Sequence, residues 1–446
     1  MSPQELAALV SDRSPRGIAA TIARLVHTGD LMPGTRLPTV RQLAGALGVS
    51  PATVGSAWQT LASAGLVISR GRAGTSVLPG PASRLPPHYR DLADVPAARL
   101  DLAAGTPDPE LLPDLAPALA RVAARGLDAR TTGYLDDPVI PDLERLLRTS
   151  WPFLPQRLTV VDGAVDAISR VLEQVVGFGG RVAVEDPGFP PVLDLLDHLG
   201  LERVPVPLDA CGPRPDALAA AVRSGARVVL LQPRAQNPTG ISTTPTRARE
   251  LAAVLRPVAG QVWVVEDDHS GEIASSRDVS LGALLPDRVV HVRSYSKSHG
   301  PDLRIAAVGG PAVVLDGLVA RRMLGPGWTS RLLQRVLTDL LTDAHAVEAV
   351  AHARRVYHGR RRALSAALAR HGLHVPPGDG INMWVPVHDE PTALVRLEAA
   401  GVRVARGRPF FCDPTGAGGF VRVTVGVLRP EDTEAVATAL AAAAAP

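Results

Sequence analysis

Apolar residues recur at helical spacing near the start of the chain. Ile18, Ile22, Leu25 and Val26 fall on one face, and Gly29 closes that segment as a helix C-cap. After a turn-rich stretch at 32–38, Val40, Leu43, Ala44 and Leu47 give a second helix its inner face. Gly48-Val49-Ser50 makes a tight turn. Ser50 is a suitable N-cap and Pro51 suits the first helical position, and Val54, Ala57, Trp58 and Leu61 then supply a buried face. Two short helices joined by a glycine-containing turn predict a helix-turn-helix. Residues 68–77 follow as a hairpin with Arg70 and Arg72 at its tip, which is the form of a wing.

The pattern then changes. Residues 79–99 carry Pro79, Pro81, Pro86, Pro87 and Pro96 with little apolar periodicity, and predict an extended, semi-rigid linker. Further on, apolar runs of strand type at 181–185, 203–208, 227–232, 262–266, 289–293 and 305–308 alternate with helix-length segments. That alternation predicts a largely parallel sheet with helices on both faces, and ligands gathered beyond the carboxyl ends of its strands. Residues 331–371 read as helical and arginine-rich. Residues 381–387 and 420–425 read as strands of a small C-terminal subdomain spanning about 330–446. The alanine run at 441–446 is expected to be the frayed end of a final helix.

At 446 residues and 46% hydrophobic composition the chain has room for two or three domains and a large core. The formal charge of +3 gives no bulk argument for nucleic acid. Locally, Arg13, Arg16, Arg24, Arg36, Arg41, Arg70 and Arg72 outweigh Glu5, Asp12 and Asp30, so the basic excess sits at the N-terminus. Cys211 and Cys412 lie far apart without metal-ligand spacing, which favours a reducing compartment over a disulfide framework. With neither a signal-peptide layout nor an apolar run of membrane-spanning length, a cytoplasmic protein without a membrane partner is expected.

The candidate chemistry centres on residues 293–304. Lys297 is the only lysine among 47 lysine and arginine positions. Where a fixed positive charge is enough, arginine serves. A lysine retained against that background marks a place that needs a primary amine, the group that forms Schiff bases and loses its proton when buried. Ser294 and Arg304 flank it, a hydroxyl and a fixed cation suited to a phosphate ester. Four further motifs each follow an apolar run: Asp162-Gly163-Ala164, Asp186-Pro187-Gly188-Phe189, Asn237-Pro238-Thr239-Gly240 and Glu266-Asp267-Asp268-His269.

This ordered set resembles the fold-type-I pyridoxal 5'-phosphate (PLP) enzymes of the aspartate aminotransferase superfamily. The resemblance implies that Gly163, Ala164, Ser294 and Arg304 hold the cofactor phosphate and that Phe189 stacks on its ring. It further implies that Asn237 bonds the ring hydroxyl, that Asp267 pairs with the ring nitrogen, and that Lys297 carries the Schiff base. Arg422, in Phe420-Val-Arg-Val-Thr, matches the arginine that grips a substrate carboxylate. Gly133-Tyr134 matches a position that contacts the phosphate of a second subunit, which implies a homodimer. His269 stands beside the cofactor hydroxyl where the family has tyrosine, and Val165 where it often has a polar side chain.

The first part of the chain resembles the GntR-type winged helix, through Leu37-Pro38, Leu43-Ala44, Leu47, Val49-Ser50, Thr53-Val54, Leu61, Gly65 and the glycine-rich wing. By that resemblance Arg41, Ser50, Thr53 and Ser56 face phosphates or base edges, and the wing's Arg70 and Arg72 reach the DNA as well. Pro51 departs from the family, which commonly has arginine there.

A winged helix (1–78), a proline-rich linker (79–99) and an aminotransferase-like domain (100–446), in that order, resemble the MocR subfamily of bacterial regulators. The implied fold class is α/β, an N-terminal winged helix-turn-helix joined to a PLP-dependent transferase fold of type I. The implied function is a DNA-binding regulator that senses an amino acid-like amine, or PLP itself, through Lys297. Its partners are then an operator in double-stranded DNA and a small amino compound, with no metal. A working aminotransferase acting on an amino acid is the alternative left open at this point.

Overall fold

The computed structural model describes residues 2–69, 74–78, 86–89, 98–125, 133–258, 260, 262–415 and 418–446. Two compact units are distinguished: Met1–Arg90 with Val176–Val182 and Pro191–Arg203, and Asp91–Val175 with Ala183–Pro190 and Val204–Pro446.

In the first unit, α1 (Pro3–Leu9), α2 (Pro15–His27), α3 (Val40–Leu47) and α4 (Pro51–Ser63) bury Leu6, Ile18, Ile22, Leu43, Val54 and Leu61 together. Helix α1 is too short for a clear apolar period, and its signal is local: Ser2 Oγ accepts from the Glu5 amide at 3.2 Å while the Glu5 carboxylate accepts from the Ser2 amide at 2.7 Å. Helix α3 starts at a second such box, Thr39 with Gln42, and stops at Gly48, whose φ of 67° is left-handed. Ser50 Oγ then accepts from the Thr53 amide at 3.2 Å and starts α4, as its position predicts.

Strands β1 (Val67–Ser69) and β2 (Thr75–Val77) form the antiparallel hairpin, Val67 opposite Val77. On the other edge of β2, Leu37 donates to the Thr75 carbonyl at 2.8 Å and Val77 donates to that of Thr35 at 2.9 Å. The stretch expected to be a loop at 32–38 therefore contains an extended piece. Arg70 and Arg72, and most of 79–99, lie outside the described residues.

In the second part of the chain come β3 (Leu100–Leu102), α5 (Ala116–Ala124), α6 (Pro141–Ser150), β4 (Arg157–Val161), α7 (Ala164–Val175) and β5 (Arg181–Asp186). They are followed by α8 (Pro190–His198), β6 (Glu202–Asp209), β7 (Gly212–Pro213), α9 (Pro215–Arg223), β8 (Ala226–Leu231) and α10 (Pro245–Leu255). Next are β9 (Trp263–Asp268), β10 (Val289–Ser294), β11 (Ala306–Gly310) and α11 (Ala312–Met323). Eight of these strands form one sheet in the order β4, β11, β10, β9, β8, β5, β6, β7.

Strands β8, β9 and β10 run parallel, while β11 is antiparallel to both β10 and β4. Val264, Val265, Val289, Val290 and Val292 are all fully buried, as strands covered on both faces require. Because β8, β9 and β10 share a direction, Gln232, Asp267 and Ser294 arrive on the same edge of the sheet.

The helical stretch read at 331–371 is two helices, α12 (Arg331–Thr342) and α13 (Ala344–Arg370), separated at Asp343. The Asp343 carboxylate accepts from the Ala346 amide at 3.0 Å and so caps the second. Beyond them β12 (Asn382–Pro386), α14 (Glu390–Ala399), β13 (Val402–Arg406), β14 (Phe420–Thr424) and α15 (Thr433–Ala444) complete the small subdomain. Its sheet runs β12, β14, β13, β3, with β3 parallel to β13. A strand at 100–102 thus belongs to a sheet expected only from the C-terminal residues. Helix α15 reaches Ala444 with Leu440 and Ala443 buried, so the alanine run is packed rather than frayed. Among the described residues no helix is long and apolar enough to cross a membrane.

Candidate functional site

Lys297 is half-buried just past β10, and its Nζ donates to the Gly105 carbonyl. Burial pushes its ammonium down to about 8, and the Arg422 guanidinium pushes the same way against Asp267. The single lysine is therefore close to the point where a useful fraction is a free amine at neutral pH.

Asp267, near the end of β9, is buried. Its Oδ2 accepts from Gln232 Nε2 at 2.7 Å, and its Oδ1 has no hydrogen-bond partner among the described residues. Burial raises this carboxyl to about 6, opposed by the Gln232 bond. Gln232 also takes the Asn237 amide on its Oε1 at 2.8 Å and gives its own amide to Glu185 at 3.1 Å. Behind this layer, Asp268 is paired with Arg234 and lies 3.7 Å from His291 Nε2, while His291 Nδ1 meets Glu266 at 2.8 Å. The Asp268, Arg234, His291 and Glu266 charges there are mutually paired, whereas the open Asp267 oxygen faces none of them in a hydrogen bond.

Gly163, with φ of 112°, immediately precedes α7. A Cβ there would lie 2.6 Å from Arg304 Nη2, so the absence of a side chain is what lets the guanidinium lie over this turn. Arg304 itself has φ of 50° and donates to the Asp162 carbonyl at 2.8 Å. Asp162 is fixed in turn by Thr329 at 2.8 Å and Arg322 at 3.0 Å. Ala164 opens the helix, with its N-terminal amides and the Arg304 cation together at one place. Ser294 is buried at the end of β10, and its Oγ accepts from the Ser296 amide at 3.3 Å.

Arg422, on β14, is fully buried with no acidic partner among the described residues. It donates to the Ala103 carbonyl and, at 3.4 Å, to Asn237 Oδ1; its Nε is unpartnered among the described residues, and its guanidinium lies 5.2 Å from the Phe410 ring. Burial lowers it to about 10. A buried cation held only by neutral oxygens is set up for an anion.

Phe189 is half-buried just beyond β5, next to Gly188, whose amide donates to the Phe410 carbonyl at 2.7 Å. His269 has both ring nitrogens engaged: Nε2 meets the Ala235 carbonyl at 3.1 Å and Nδ1 meets Ser270 Oγ at 2.9 Å. A carbonyl only accepts, so Nε2 carries the proton, and burial with Lys297 nearby lowers the ring to about 4. Neutral His269 has no N–H left for a ligand. Tyr134 is 81% exposed, its ring 6.0 Å from that of Trp328. Val165 adds no polar group to the phosphate turn. Gln232, Gly105 and Ala103 were not singled out from the sequence as site residues; Gln232 had a signal, since it stands at the carboxyl end of a predicted parallel strand.

On the helix-turn-helix, Arg41 is exposed on α3, Ser50 is exposed at the N-cap of α4, and Ser56 is exposed on α4 itself. The hydroxyls of Ser50 and Thr53 lie 2.8 Å apart, and the Ser56 carbonyl accepts from Thr60 at 3.0 Å. No residue of α4 is charged.

The donor set fits PLP. A buried carboxylate oxygen is open to a ring N–H, a glycine turn under a guanidinium is open to a phosphate, and one amine of lowered pKa lies among them. Fold and site thus define a two-part protein, a DNA-binding head joined to a pyridoxal-phosphate domain of the aminotransferase kind.

The sequence profile described as "Aminotransferase class I and II" matches residues 98–440, and that described as "Bacterial regulatory proteins, gntR family" matches 16–77. The chain is 34% identical over 436 residues to the vitamin B6 salvage pathway transcriptional repressor PtsJ of Salmonella typhimurium, covering 96% of this chain and 98% of that protein. It is 30% identical over 449 residues to the HTH-type transcriptional regulator TauR of Rhodobacter capsulatus, covering 91% of each. The crystal structure of LysN, an alpha-aminoadipate aminotransferase from Thermus thermophilus complexed with N-(5'-phosphopyridoxyl)-L-leucine, superposes with a TM-score of 0.69 at 25% identity, over 80% of this chain and 95% of that one. The chain belongs to the MocR-type transcriptional regulators, which join a GntR helix-turn-helix to an aminotransferase-like, PLP-binding domain.

Proposed function

We propose that this regulator senses PLP itself, and that loading of the large domain changes how its winged helix engages an operator. The observation that carries the reading is the buried, unpartnered Oδ1 of Asp267. When bound, the cofactor supplies an aldehyde that condenses with a primary amine and a ring that withdraws electrons. In this reading Lys297 presents the amine and Asp267 accepts from the ring nitrogen. Asn237 faces the ring hydroxyl and Phe189 covers a ring face, while Gly163, Ala164, Ser294 and Arg304 hold the phosphate. His269, spent on Ala235 and Ser270, fixes the loop rather than donating to the ring. The similarity to PtsJ, a vitamin B6 salvage pathway transcriptional repressor, supports B6 as the quantity sensed.

The working unit in this proposal is a homodimer, with exposed Tyr134 reaching a second copy and two heads binding repeated half-sites. Arg41, Ser50, Thr53 and Ser56 meet the DNA, with Arg70 and Arg72 of the wing. Arg422 favours a second reading, in which an amine bearing a carboxylate acts on the loaded site.

The test is the visible absorption of the protein titrated with PLP, run beside footprinting of its own promoter region. A band lost in Lys297→Ala, together with protection that changes with PLP alone, supports the first reading. Protection that changes only when an amino acid is added supports the second. Steady formation of a new amino acid from an added 2-oxo acid would make the chain an aminotransferase first.

A further inference from the structure

Asp267 and Asn237 come from different strand ends, yet one side chain touches both. Gln232 directly follows β8, and the parallel register that pairs Leu231 with Glu266 places it beside Asp267 on the neighbouring strand. Its Nε2 donates to Asp267 Oδ2 at 2.7 Å, and its Oε1 accepts from the Asn237 amide at 2.8 Å. The Asn237 N–H only donates, so Oε1 must face it and the NH2 must face the carboxylate. The amide has one orientation and cannot flip without losing both bonds. Its own backbone is anchored by the buried Glu185, whose Oε2 accepts from the Gln232 amide at 3.1 Å.

Two consequences follow. Of the two Asp267 oxygens, Gln232 occupies one and leaves Oδ1 as the open acceptor, which fixes the plane and aim of the carboxylate. The span from Asp267 to the Asn237 backbone is also set by the length of one glutamine.

We infer that Gln232 is the positioning residue of the cofactor site, aiming the ring-nitrogen carboxylate and holding the Asn237 loop at a fixed distance from it. This inference rests on the reading in which Asp267 receives the ring nitrogen of PLP.

Gln232→Leu removes both bonds at similar size. Gln232→Glu keeps an acceptor for Asn237 but sets a second carboxylate against Asp267, so the pair must share a proton and its titration moves up. The full-length protein and both variants are loaded with PLP, and the absorption band is recorded against pH together with the PLP dissociation constant. The inference predicts a midpoint displaced upward by about one pH unit or more in Gln232→Glu. It also predicts PLP affinity weakened about tenfold or more in both variants, the scale found when a partner that orients a metal ligand is lost. A merely structural glutamine would leave the pH midpoint where it is.

Wild-type affinity and an unchanged pH midpoint in Gln232→Glu would overturn the inference, and that variant decides the matter if Gln232→Leu does not fold. A wild-type protein that gives no band with PLP, or whose band and pH midpoint are unaffected by Asp267→Asn, overturns the cofactor reading instead, and the inference goes with it.

Discussion

The Cα of Gly105 faces the guanidinium of Arg422 so closely that a Cβ at this position would lie 2.9 Å from Nη1 and 3.0 Å from Nη2. The same glycine has φ of 64°, and its carbonyl accepts from Lys297. One backbone position therefore borders two of the site's cations, Lys297 and Arg422.

Gly105→Ala should accordingly cost more than backbone strain. A left-handed alanine alone costs about 1–2 kcal/mol. Gly372, with φ of 79° and open space around it, supplies the strain-only control. Denaturant midpoints should fall further for Gly105→Ala than for Gly372→Ala. Any response to an added amino acid should weaken only in the former, because only there is Arg422 displaced. Equal losses in both would mean that Arg422 yields freely.

Lys297 can be read directly, because a carbon-13 lysine label gives one side-chain signal in this chain. That signal should titrate near pH 8 in the absence of PLP. Burial and the Arg422 charge both favour the neutral amine, so Arg422→Met removes one of the two and should move the midpoint upward. A midpoint near the ordinary lysine value of about 10.4 in the wild type would remove the argument that the site prepares a free amine.

The parallel strands and the helix-turn-helix were legible in the sequence because each rests on a local rule, an uninterrupted apolar run or a cap at a turn. The β3 strand was not legible. Leu100–Leu102 is too short to show a period, and its place is decided by Val402–Val404 far along the chain. Lys297 stood out through its uniqueness together with the flanking Ser294 and Arg304 and the four ordered motifs upstream. Gln232 was hidden because glutamine carries no chemistry by itself, and its importance lies in what it joins. His269 shows a different limit: the residue was visible, but only the carbonyl of Ala235 beside it reveals that its proton is already committed.

The DNA-binding head allows a test that separates charge from structure. Arg41 is exposed and fixed in charge, so Arg41→Ala should weaken operator binding across sequences and reduce the slope of log affinity against log salt by about 1. Ser50→Ala removes the cap on the Thr53 amide and should cost about 1 kcal/mol of stability in this unit, with little change in salt slope. An unchanged salt slope in Arg41→Ala would place that arginine away from the phosphates.

Glu185 predicts the pH dependence of stability. Burial raises its carboxyl from the ordinary range near 4.5 to about 8, against the hydrogen bond from Gln232. The folded protein thus holds this proton more tightly than the unfolded chain. Its contribution is complete below about pH 4.5 and is lost as the pH rises toward 8. Asp267, raised to about 6, has the same sign but is exhausted by that pH. His291, raised to about 9 between Glu266 and Asp268 despite its burial, continues in the same direction above neutrality. The wild-type curve therefore mixes several groups, whereas the difference between wild type and Glu185→Gln isolates one. The amide stays neutral at every pH, so the variant should lose less stability than the wild type between pH 6 and 8, by on the order of a few kcal/mol. Parallel curves for the two proteins across that interval would mean that Glu185 is ionised in the fold, and that the carboxylate behind Gln232 is stabilised by something other than a proton.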